Sequence, residues 1–181
     1  MIHTPSLTLV LFDEVHYQAI MASDYEQLGR LLNVHPPEDW TESRDAIDAF
    51  PLFYQWFKEL PDKTWGSYFI LHKTERRQIG ICGFKGGPGT DGFVEIGYEI
   101  KKAWQGRGFA TEAAKALVEL SLRRPEIKGV RAHTLMAENA STGVLKKCGM
   151  RFVGKVIDPQ DGEVWRWELA DFADGLLGEF R

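Results

Sequence analysis

The feature that most constrains the fold is a glycine-bearing turn between a predicted strand and a predicted helix. The turn, residues 104–108, reads Trp-Gln-Gly-Arg-Gly and follows an alternating run that ends at Ile100. Apolar residues then recur at helical spacing from about Phe109 to Leu122. Glycine has no Cβ atom, so this backbone can turn tightly and approach a ligand closely. The first N–H groups of a helix have no partner within it and, with the helix dipole, form an anion site. We therefore expect a phosphate group to bind here, with Arg107 adding positive charge.

Two common phosphate-binding loops do not fit this turn. A Walker loop requires four residues between its glycines and then Gly-Lys-Ser/Thr, and the sequence contains no such run. A dinucleotide-binding fingerprint requires Gly-x-Gly-x-x-Gly, but Thr111 occupies the position of the third glycine. That fingerprint also belongs to a βαβ unit near the start of a domain. Here the turn instead follows several predicted hairpin strands.

The turn does fit a third pattern, Gln/Arg-x-x-Gly-x-Gly/Ala, through Gln105, Gly108 and Ala110. In this pattern the chain resembles the GNAT superfamily of N-acetyltransferases, whose pyrophosphate loop has this form. Residues 95–113 are most similar to the branch that includes the enzymes acetylating the N-terminal residue of ribosomal proteins. Residues 139–152 resemble the same branch's Asn-x-x-Ser-x-x-Val-Leu-x-Lys-x-Gly-Phe segment. Two blocks in the right order and spacing are far more specific than one short loop.

The order of predicted elements agrees with the fold that this resemblance implies. A strand at Leu7–Leu11 precedes short helices, three hairpin strands, the helix after the turn, a strand, a helix and two final strands. Prolines and glycine-rich segments separate them, and Asp158–Gly162 has the composition of a turn. We expect an α/β (α+β) GNAT-like fold, with a mixed, mostly antiparallel twisted sheet flanked by helices. The 181 residues suit a single domain spanning 1–181, with 171–181 peripheral.

Composition narrows the classes of partner. A net charge of −4 argues against broad binding to nucleic acid, which usually needs a basic excess. The two cysteines, Cys82 and Cys148, lack metal-binding spacing, so we expect no metal. Neither a signal peptide nor an apolar run of roughly 20 residues is present, so we expect a cytoplasmic protein with free thiols and no membrane partner. A homodimer is compatible with the aromatic residues but not required by them.

The resemblance implies acetyl-CoA as the donor and an amine as the acceptor. The loop holds the pyrophosphate, and the strand before it pairs its backbone with the pantetheine arm and polarises the thioester carbonyl. A later helix and its first turn contact the rest of the donor. Together these segments give the expected donor-binding residues: Tyr98, Glu99, Ile100, Gln105, Gly106, Arg107, Gly108, Phe109, Ala110, Thr111, Asn139 and Lys147.

Glu95 is the leading candidate for the group that binds or deprotonates the amine. It lies on the strand that carries the donor, and alternation places it on one face with Phe93, Gly97 and Glu99. A protonated α-amine, with a pKa of about 8, must lose a proton before it attacks. In a partly apolar cleft we expect the pKa of this carboxylate to be raised, which suits that task. Glu99 is a weaker alternative, and a solvated or ion-paired carboxylate is the alternative role for Glu95.

The group that protonates the leaving thiolate is less well defined. Many members of the superfamily use a tyrosine on the later helix, but Val144 and Leu145 occupy the matching positions. Ser141 is the first substitute, with helix capping as its alternative role, and Cys148 and His133 follow. The alignment also places Glu138 where the family usually has asparagine. Asn139 therefore either reaches the donor through a one-residue shift or only caps the helix.

These residues predict an enzyme, an acetyl-CoA-dependent N-acetyltransferase acting by direct attack of a primary amine in a ternary complex. The resemblance favours a protein or peptide N-terminus as the acceptor, with polyamines, aminoglycosides and amino acids as alternatives. A non-catalytic acyl-CoA sensor or interaction module is the rival from another class, and a transferase of longer acyl groups is a third. A carboxylate at position 95 favours catalysis, because a sensor has no need of one beside the thioester.

Overall fold

The computed structural model describes residues 1–158 and 162–170, in which eight strands form one sheet. The strands are β1 (Ile2–His3), β2 (Leu7–Leu11), β3 (Ser67–His72), β4 (Arg77–Phe84), β5 (Phe93–Ile100), β6 (Gly129–Leu135), β7 (Arg151–Asp158) and β8 (Gly162–Ala170). Their order across the sheet is β1-β2-β3-β4-β5-β6-β8-β7. Within the described ranges only the β5–β6 pair is parallel, and every other pair is antiparallel. The predicted mixed, mostly antiparallel sheet is confirmed.

Six α-helices accompany the sheet within the described residues. They are α1 (Glu14–Met21), α2 (Tyr25–Leu32), α3 (Arg44–Asp48), α4 (Phe50–Glu59), α5 (Phe109–Leu122) and α6 (Ala140–Lys147). Asp13, Asp24 and Ser43 cap the first three helices by accepting hydrogen bonds from backbone N–H groups of their first turns. The bounds of α5 agree with the expected helix. Gly149, with φ of +79°, follows the end of α6.

Helices on the two faces of the sheet enclose two hydrophobic clusters. On one face, α5 and α6 pack against the even-numbered residues of β5, of which Val94, Ile96 and Ile100 are buried. The other face is covered by α1 to α4, which contribute most of the second cluster. Ala113 and Ala114 of α5 are fully buried, and their small side chains let the helix lie close to the sheet.

The sheet opens between β5 and β6. The two strands pair at only three positions, Phe93 with Gly129, Val94 with Val130 and Glu95 with Arg131. Beyond Glu95 the register ends, whereas β5 continues to Ile100 and β6 to Leu135. The helix α5 forms the crossover that a parallel pair requires. It begins just beyond the end of β5, so its N-terminus lies at the open end of the split.

The sequence missed the two-residue strand β1, which is too short to show alternation. The turn predicted at Asp158–Gly162 lies partly, and the segment 171–181 entirely, outside the described residues. Over the described ranges, no helix has both the length and the apolar character that crossing a membrane requires.

Candidate active site

Backbone polar groups of β5 face the split between the strands. The N–H of Lys85 donates to the carbonyl of Glu95, and the N–H of Lys101 donates to the carbonyl of Ile79, each at 2.9 Å. The odd-numbered residues of β5 therefore direct their peptide groups toward β4. Because direction alternates along a strand, the peptide groups of Ile96 and Tyr98 point into the split. Buried peptide groups require partners, so this edge can accept a ligand that contains amides.

The predicted anion loop has the geometry that its glycines suggest. Gly106 and Gly108 both have positive φ, +73° and +86°, which favours glycine strongly over other residues. A Cβ atom at either position would meet nothing within 4 Å, so the space above the loop is open. Gly108 is the N-terminal cap of α5, and no described side chain caps the helix. The N–H groups of its first turn are therefore available to an anion.

Two side chains of the loop are held by neighbours. Gln105 Nε2 donates to the carbonyl of Ile100 at 2.8 Å, which closes the turn after β5. The Arg107 guanidinium lies 4.8 Å from the centre of the Trp104 ring and 5.0 Å from that of Phe109. It also lies 3.7 Å from Glu75. Arg107 is thus positioned by cation–π contacts, with half of its side chain still exposed beside the anion site.

The start of α6 lies across the split from β5. Asn139 caps the helix, because its side chain accepts from the N–H of Thr142 at 3.1 Å. Capping is one of the two roles that the sequence left open for Asn139. Ser141 therefore does not serve as the cap. Tyr98 spans the gap, with its hydroxyl donating to the carbonyl of Ser141 at 3.2 Å.

A cavity of about 800 Å³ adjoins the loop along α5, and its lining carries three basic side chains and two glutamates. Its lining includes Gly108 and Thr111, with Lys115 of the same helix and Lys147 of α6. Residues 1–5 form the opposite wall. The expected donor residues Gly108, Thr111 and Lys147 are therefore brought together, and Lys115 joins them although the sequence did not single it out.

Glu95 lies at the apex of the split within a network of charges. Its Oε1 atom is 2.9 Å from Lys85 Nζ and 3.0 Å from His133 Nδ1. Arg166 Nε donates to His133 Nε2 at 3.3 Å, so that nitrogen carries no proton and Nδ1–H donates to Glu95. Burial tends to raise the pKa of Glu95, but the hydrogen bonds from His133 and Lys85 outweigh it and hold the pKa below its usual value. The expectation of a raised pKa is therefore wrong, because the sequence did not reveal these two donors, and Glu95 is an ionised carboxylate at neutral pH.

Glu99, the weaker alternative, has a different environment. Its Oε1 accepts hydrogen bonds from Thr41 Oγ1 at 2.8 Å and from the N–H of Glu42 at 3.3 Å. The side chain of Glu42 in turn accepts from the N–H of Lys102 at 2.8 Å. These contacts tie the loop before α3 to the end of β5. Glu99 thereby anchors the segment that carries the helices on this face.

A second cavity, of about 350 Å³, lies on the face of β4 and β5 that α3 and α4 cover. Gly97 and Glu99 of β5 line it, as does Lys85, the partner of Glu95. Its walls also include a buried cysteine, Cys82, whose pKa is raised by burial. Burial raises the pKa of the other thiol, Cys148, to about 11. Both thiols are therefore protonated near neutral pH and are poor nucleophiles.

These features fit a CoA thioester with an acceptor on the opposite side. The open glycine loop and the uncapped helix suit a pyrophosphate, and the split offers peptide groups to an amide-containing arm. The second cavity, lined by Gly97 and Lys85, adjoins Glu95 on the face of β5 that α3 and α4 cover, which leaves room for a second substrate. The fold and the site thus define an acyl-CoA-dependent transferase.

Comparison with known proteins identifies the family. The acetyltransferase (GNAT) domain matches residues 6–151, and the chain belongs to this family. An uncharacterised N-acetyltransferase from Bacillus subtilis (strain 168), YjdG, is 27% identical over 152 residues, which cover 83% of this chain and 82% of that protein. A second relative, the uncharacterised N-acetyltransferase p20 of Bacillus licheniformis, is 31% identical over 108 residues, covering 56% and 57%. The protein is accordingly an acetyl-CoA-dependent N-acetyltransferase.

Solved structures show the same fold at low sequence identity. RimL, a ribosomal L7/L12 alpha-N-protein acetyltransferase in complex with CoA, aligns with a TM-score of 0.64 and 16% identity, covering 92% of this chain and 95% of that one. The aminoglycoside acetyltransferase AAC(6′)-Ib in complex with CoA aligns with a TM-score of 0.65 and 18% identity, at coverages of 92% and 95%. Their acceptors differ, so the shared fold leaves the acceptor open.

Sequence analysis alone did not find the side chains that surround Glu95. Lys85 follows β4, and Arg166 lies on β8, more than 70 residues beyond Glu95 in the sequence. Their approach depends on strand register and on the order β5-β6-β8, neither of which alternation reveals. One residue within the stretch that carries the family resemblance, Glu112 of the Ala-Thr-Glu-Ala run, was given no role in the sequence analysis. Its carboxylate accepts from Thr4 and Ser6 and ties the start of the chain to α5.

Proposed function

We propose that the protein transfers the acetyl group of acetyl-CoA to a primary amine by direct attack, with Glu95 as the catalytic carboxylate. The observation that carries this proposal is the position of Glu95 at the apex of the strand split, beside the cavity that contains Gly97. The amine nitrogen forms a bond to the acetyl carbon, and the bond from that carbon to the CoA sulfur breaks. Glu95 accepts the amine proton, directly or through water.

The loop and the two helices hold the donor in this proposal. The N–H groups at the start of α5, from Gly108 onward, bind the pyrophosphate, and Arg107 adds positive charge beside it. Lys115 and Lys147 lie along the adjoining cavity, where they suit a further phosphate. The peptide groups of Ile96 and Tyr98 bind the pantetheine amides, and a backbone N–H polarises the thioester carbonyl.

Ser141 is the proposed donor of the proton to the leaving thiolate, and its oxygen takes a proton back from solvent. Because Asn139 caps the helix, the hydroxyl of Ser141 is not needed as a cap. Ser141 lies in the first turn of α6, beside the split. Direct attack agrees with the state of the cysteines, since Cys82 and Cys148 are buried and have raised pKa values. An acetyl-cysteine intermediate is therefore no part of the mechanism.

A protein or peptide N-terminus is the proposed acceptor, in line with the branch that the sequence resembles. The continuous sheet from β1 to β8 and the family match over residues 6–151 support one domain spanning 1–181. A cytoplasmic location and a homodimer remain predictions, which cell fractionation and sedimentation equilibrium would test.

The test of this function measures thiol release from acetyl-CoA with a panel of amines. The panel contains peptides with different N-terminal residues, polyamines, aminoglycosides and free amino acids. We expect turnover with at least one class and a loss of about 100-fold or more in kcat in Glu95→Gln, because one general base contributes about 10²–10⁴. Binding of CoA by Glu95→Gln should be unchanged. Full activity of Glu95→Gln would contradict the role of Glu95, and no turnover with any amine would favour the sensor alternative.

A further inference from the structure

The cavity beside Glu95 has walls that select a kind of acceptor. One long wall is the inner face of α4, where Leu52, Phe53 and Trp56 are each only half-buried. Their apolar surface is thus exposed to the cavity rather than packed into the core. Additional apolar surface comes from the residues behind them: Tyr17, Ala46, Ala49, Phe57, Leu60, Ile81 and Phe84. An apolar group placed here would leave water for a largely hydrophobic surface.

The rings of these walls are held in place by one another. Tyr17 lies 5.0 Å from Phe57, and Phe53 lies 6.1 Å from Trp56, between ring centres. Contacts at these distances are typical of stable aromatic pairs. A preformed wall loses little side-chain freedom when a ligand binds, which increases the affinity gained from each contact.

The cavity has room for a bulky group. Its volume is about 350 Å³, whereas a cavity of about 150 Å³ is enough to bind benzene. Gly97 increases this room at the end nearest Glu95, because a Cβ atom there would meet nothing within 4 Å. One ring or branched side chain, together with the carbon that carries the amine, fits this space.

The charged groups of the lining suit one positive charge rather than several. They are two carboxylates, Asp45 and Glu99, and one ammonium, Lys85. Glu99 already accepts two hydrogen bonds, from Thr41 and Glu42, and Lys85 is paired with Glu95. The extra ammonium groups of a polyamine or an aminoglycoside would face apolar walls. Burying a charge without a partner is costly, so such acceptors are disfavoured.

We propose that the acceptor is a primary monoamine with an aromatic or large aliphatic group next to the carbon that carries the nitrogen. This inference rests on the proposed function and specifies its acceptor. The amine reaches Glu95 at the Gly97 end, and the apolar group lies against α4. An arylalkylamine and a peptide that begins with a hydrophobic residue share this chemistry.

The experiment compares kcat/KM among matched acceptors with acetyl-CoA. They are 2-phenylethylamine, tripeptides that differ only in an N-terminal Phe, Leu or Gly, spermidine and kanamycin. We expect the Phe peptide to exceed the Gly peptide by about 10-fold to 100-fold, because burying a side chain of that size has an effect of this order. A similar rate for 2-phenylethylamine would indicate a small-molecule acceptor, and a much lower rate would indicate a peptide. Either result supports the inference.

Two variants test the cavity itself. Trp56→Ala should reduce the Phe-to-Gly ratio about 10-fold, and Gln55→Ala is the matched control, since Gln55 is exposed on the same helix and does not line the cavity. Gly97→Leu should lower the rate with the Phe peptide more than with the Gly peptide, by filling the space beside Glu95. Position 97 has no positive φ, so leucine is tolerated there even if Trp56→Ala fails to fold.

The outcomes separate this inference from the function on which it rests. Turnover that is equal for the Phe and Gly peptides, or greatest with spermidine or kanamycin, would overturn the inference and leave the acetyltransferase function intact. An unchanged Phe-to-Gly ratio in both cavity variants would also overturn it. No thiol release with any amine would instead reject the proposed function, and the inference with it.

Discussion

At the scale of single residues, the link between Glu95 and His133 controls the protonation of the proposed base. The two side chains belong to the strands on either side of the split. Only 20% of the Glu95 side chain and 12% of the His133 side chain are exposed to solvent. The imidazole donates from Nδ1 and accepts from Arg166 at Nε2. This orientation stabilises the ionised form of Glu95 and thereby lowers its pKa.

A pH dependence follows from this link. The pKa of Glu95 is depressed, so activity that needs its ionised form is present at neutral pH and lost as pH falls through that pKa. His133→Ala removes one donor, which raises the pKa of Glu95 and moves the acid limb of kcat/KM to higher pH. His133→Asn keeps an amide donor near the position of Nδ1 and should restore much of the original profile. The measurement is the pH–rate profile, and an acid limb that is the same in all three proteins would contradict the assignment.

At the scale of elements, Glu112 joins the first strands to α5. Its Oε1 accepts from Thr4 Oγ1 at 2.6 Å and from the N–H of Ser6 at 2.7 Å. The two donors belong to the turn between β1 and β2, so one side chain fixes this turn to the helix that begins at the anion loop. The glutamate of the Ala-Thr-Glu-Ala run therefore has a structural explanation that does not involve the chemistry of transfer.

Removing this side chain should destabilise the fold. We expect Glu112→Ala to lower the free energy of unfolding by about 1.5 kcal/mol, since hydrogen bonds to a charged group contribute about 1.5–3 kcal/mol and this site is partly exposed. Glu112→Gln retains an acceptor oxygen and should lose about half as much. Urea denaturation monitored by tryptophan fluorescence measures both. Equal stability of Glu112→Ala and the wild-type protein would show that the turn is held by other contacts.

The same elements show what the sequence could predict. Strand and helix bounds were predictable because alternation, caps such as Asp13 and stops such as Gly149 are local signals. The anion loop was predictable because its glycines need positive φ. The partners of Glu95 were not, since His133 and Arg166 reach it through the pairing of distant strands. The sequence indicated that Tyr98, Glu99 and Ile100 lie on the donor-binding strand. It could not show which of their peptide groups face the split, because that depends on the register of β5 against β4.

At the scale of the whole molecule, the loop, the split and α6 together form the proposed donor site. A ligand that contacts all three parts binds only the folded chain and so stabilises it. At a CoA concentration of about 100 times Kd the gain is about 2.7 kcal/mol, which for a chain of this size corresponds to a rise in Tm of about 5–10 °C. Differential scanning fluorimetry with increasing CoA concentrations measures this rise.

Gly108→Val supplies the control for that measurement. Valine is strained at a φ of +86° and places its side chain in the open space above the loop. The variant should lose most of the rise in Tm caused by CoA, whatever its own starting Tm. Absence of any rise in the wild-type protein would contradict the assignment of residues 105–111 to donor binding.

The strand split also has a consequence for solubility. An unpaired strand edge offers peptide groups to other chains and is a common starting point for aggregation. Here two such edges, on β5 and β6, face each other inside one sheet, and in the proposed mode of binding the arm of the donor satisfies them. In that proposal the donor takes the place of a strand between β5 and β6. Protein purified without CoA exposes both edges, so we expect the CoA-free form to be the more prone to aggregate on storage.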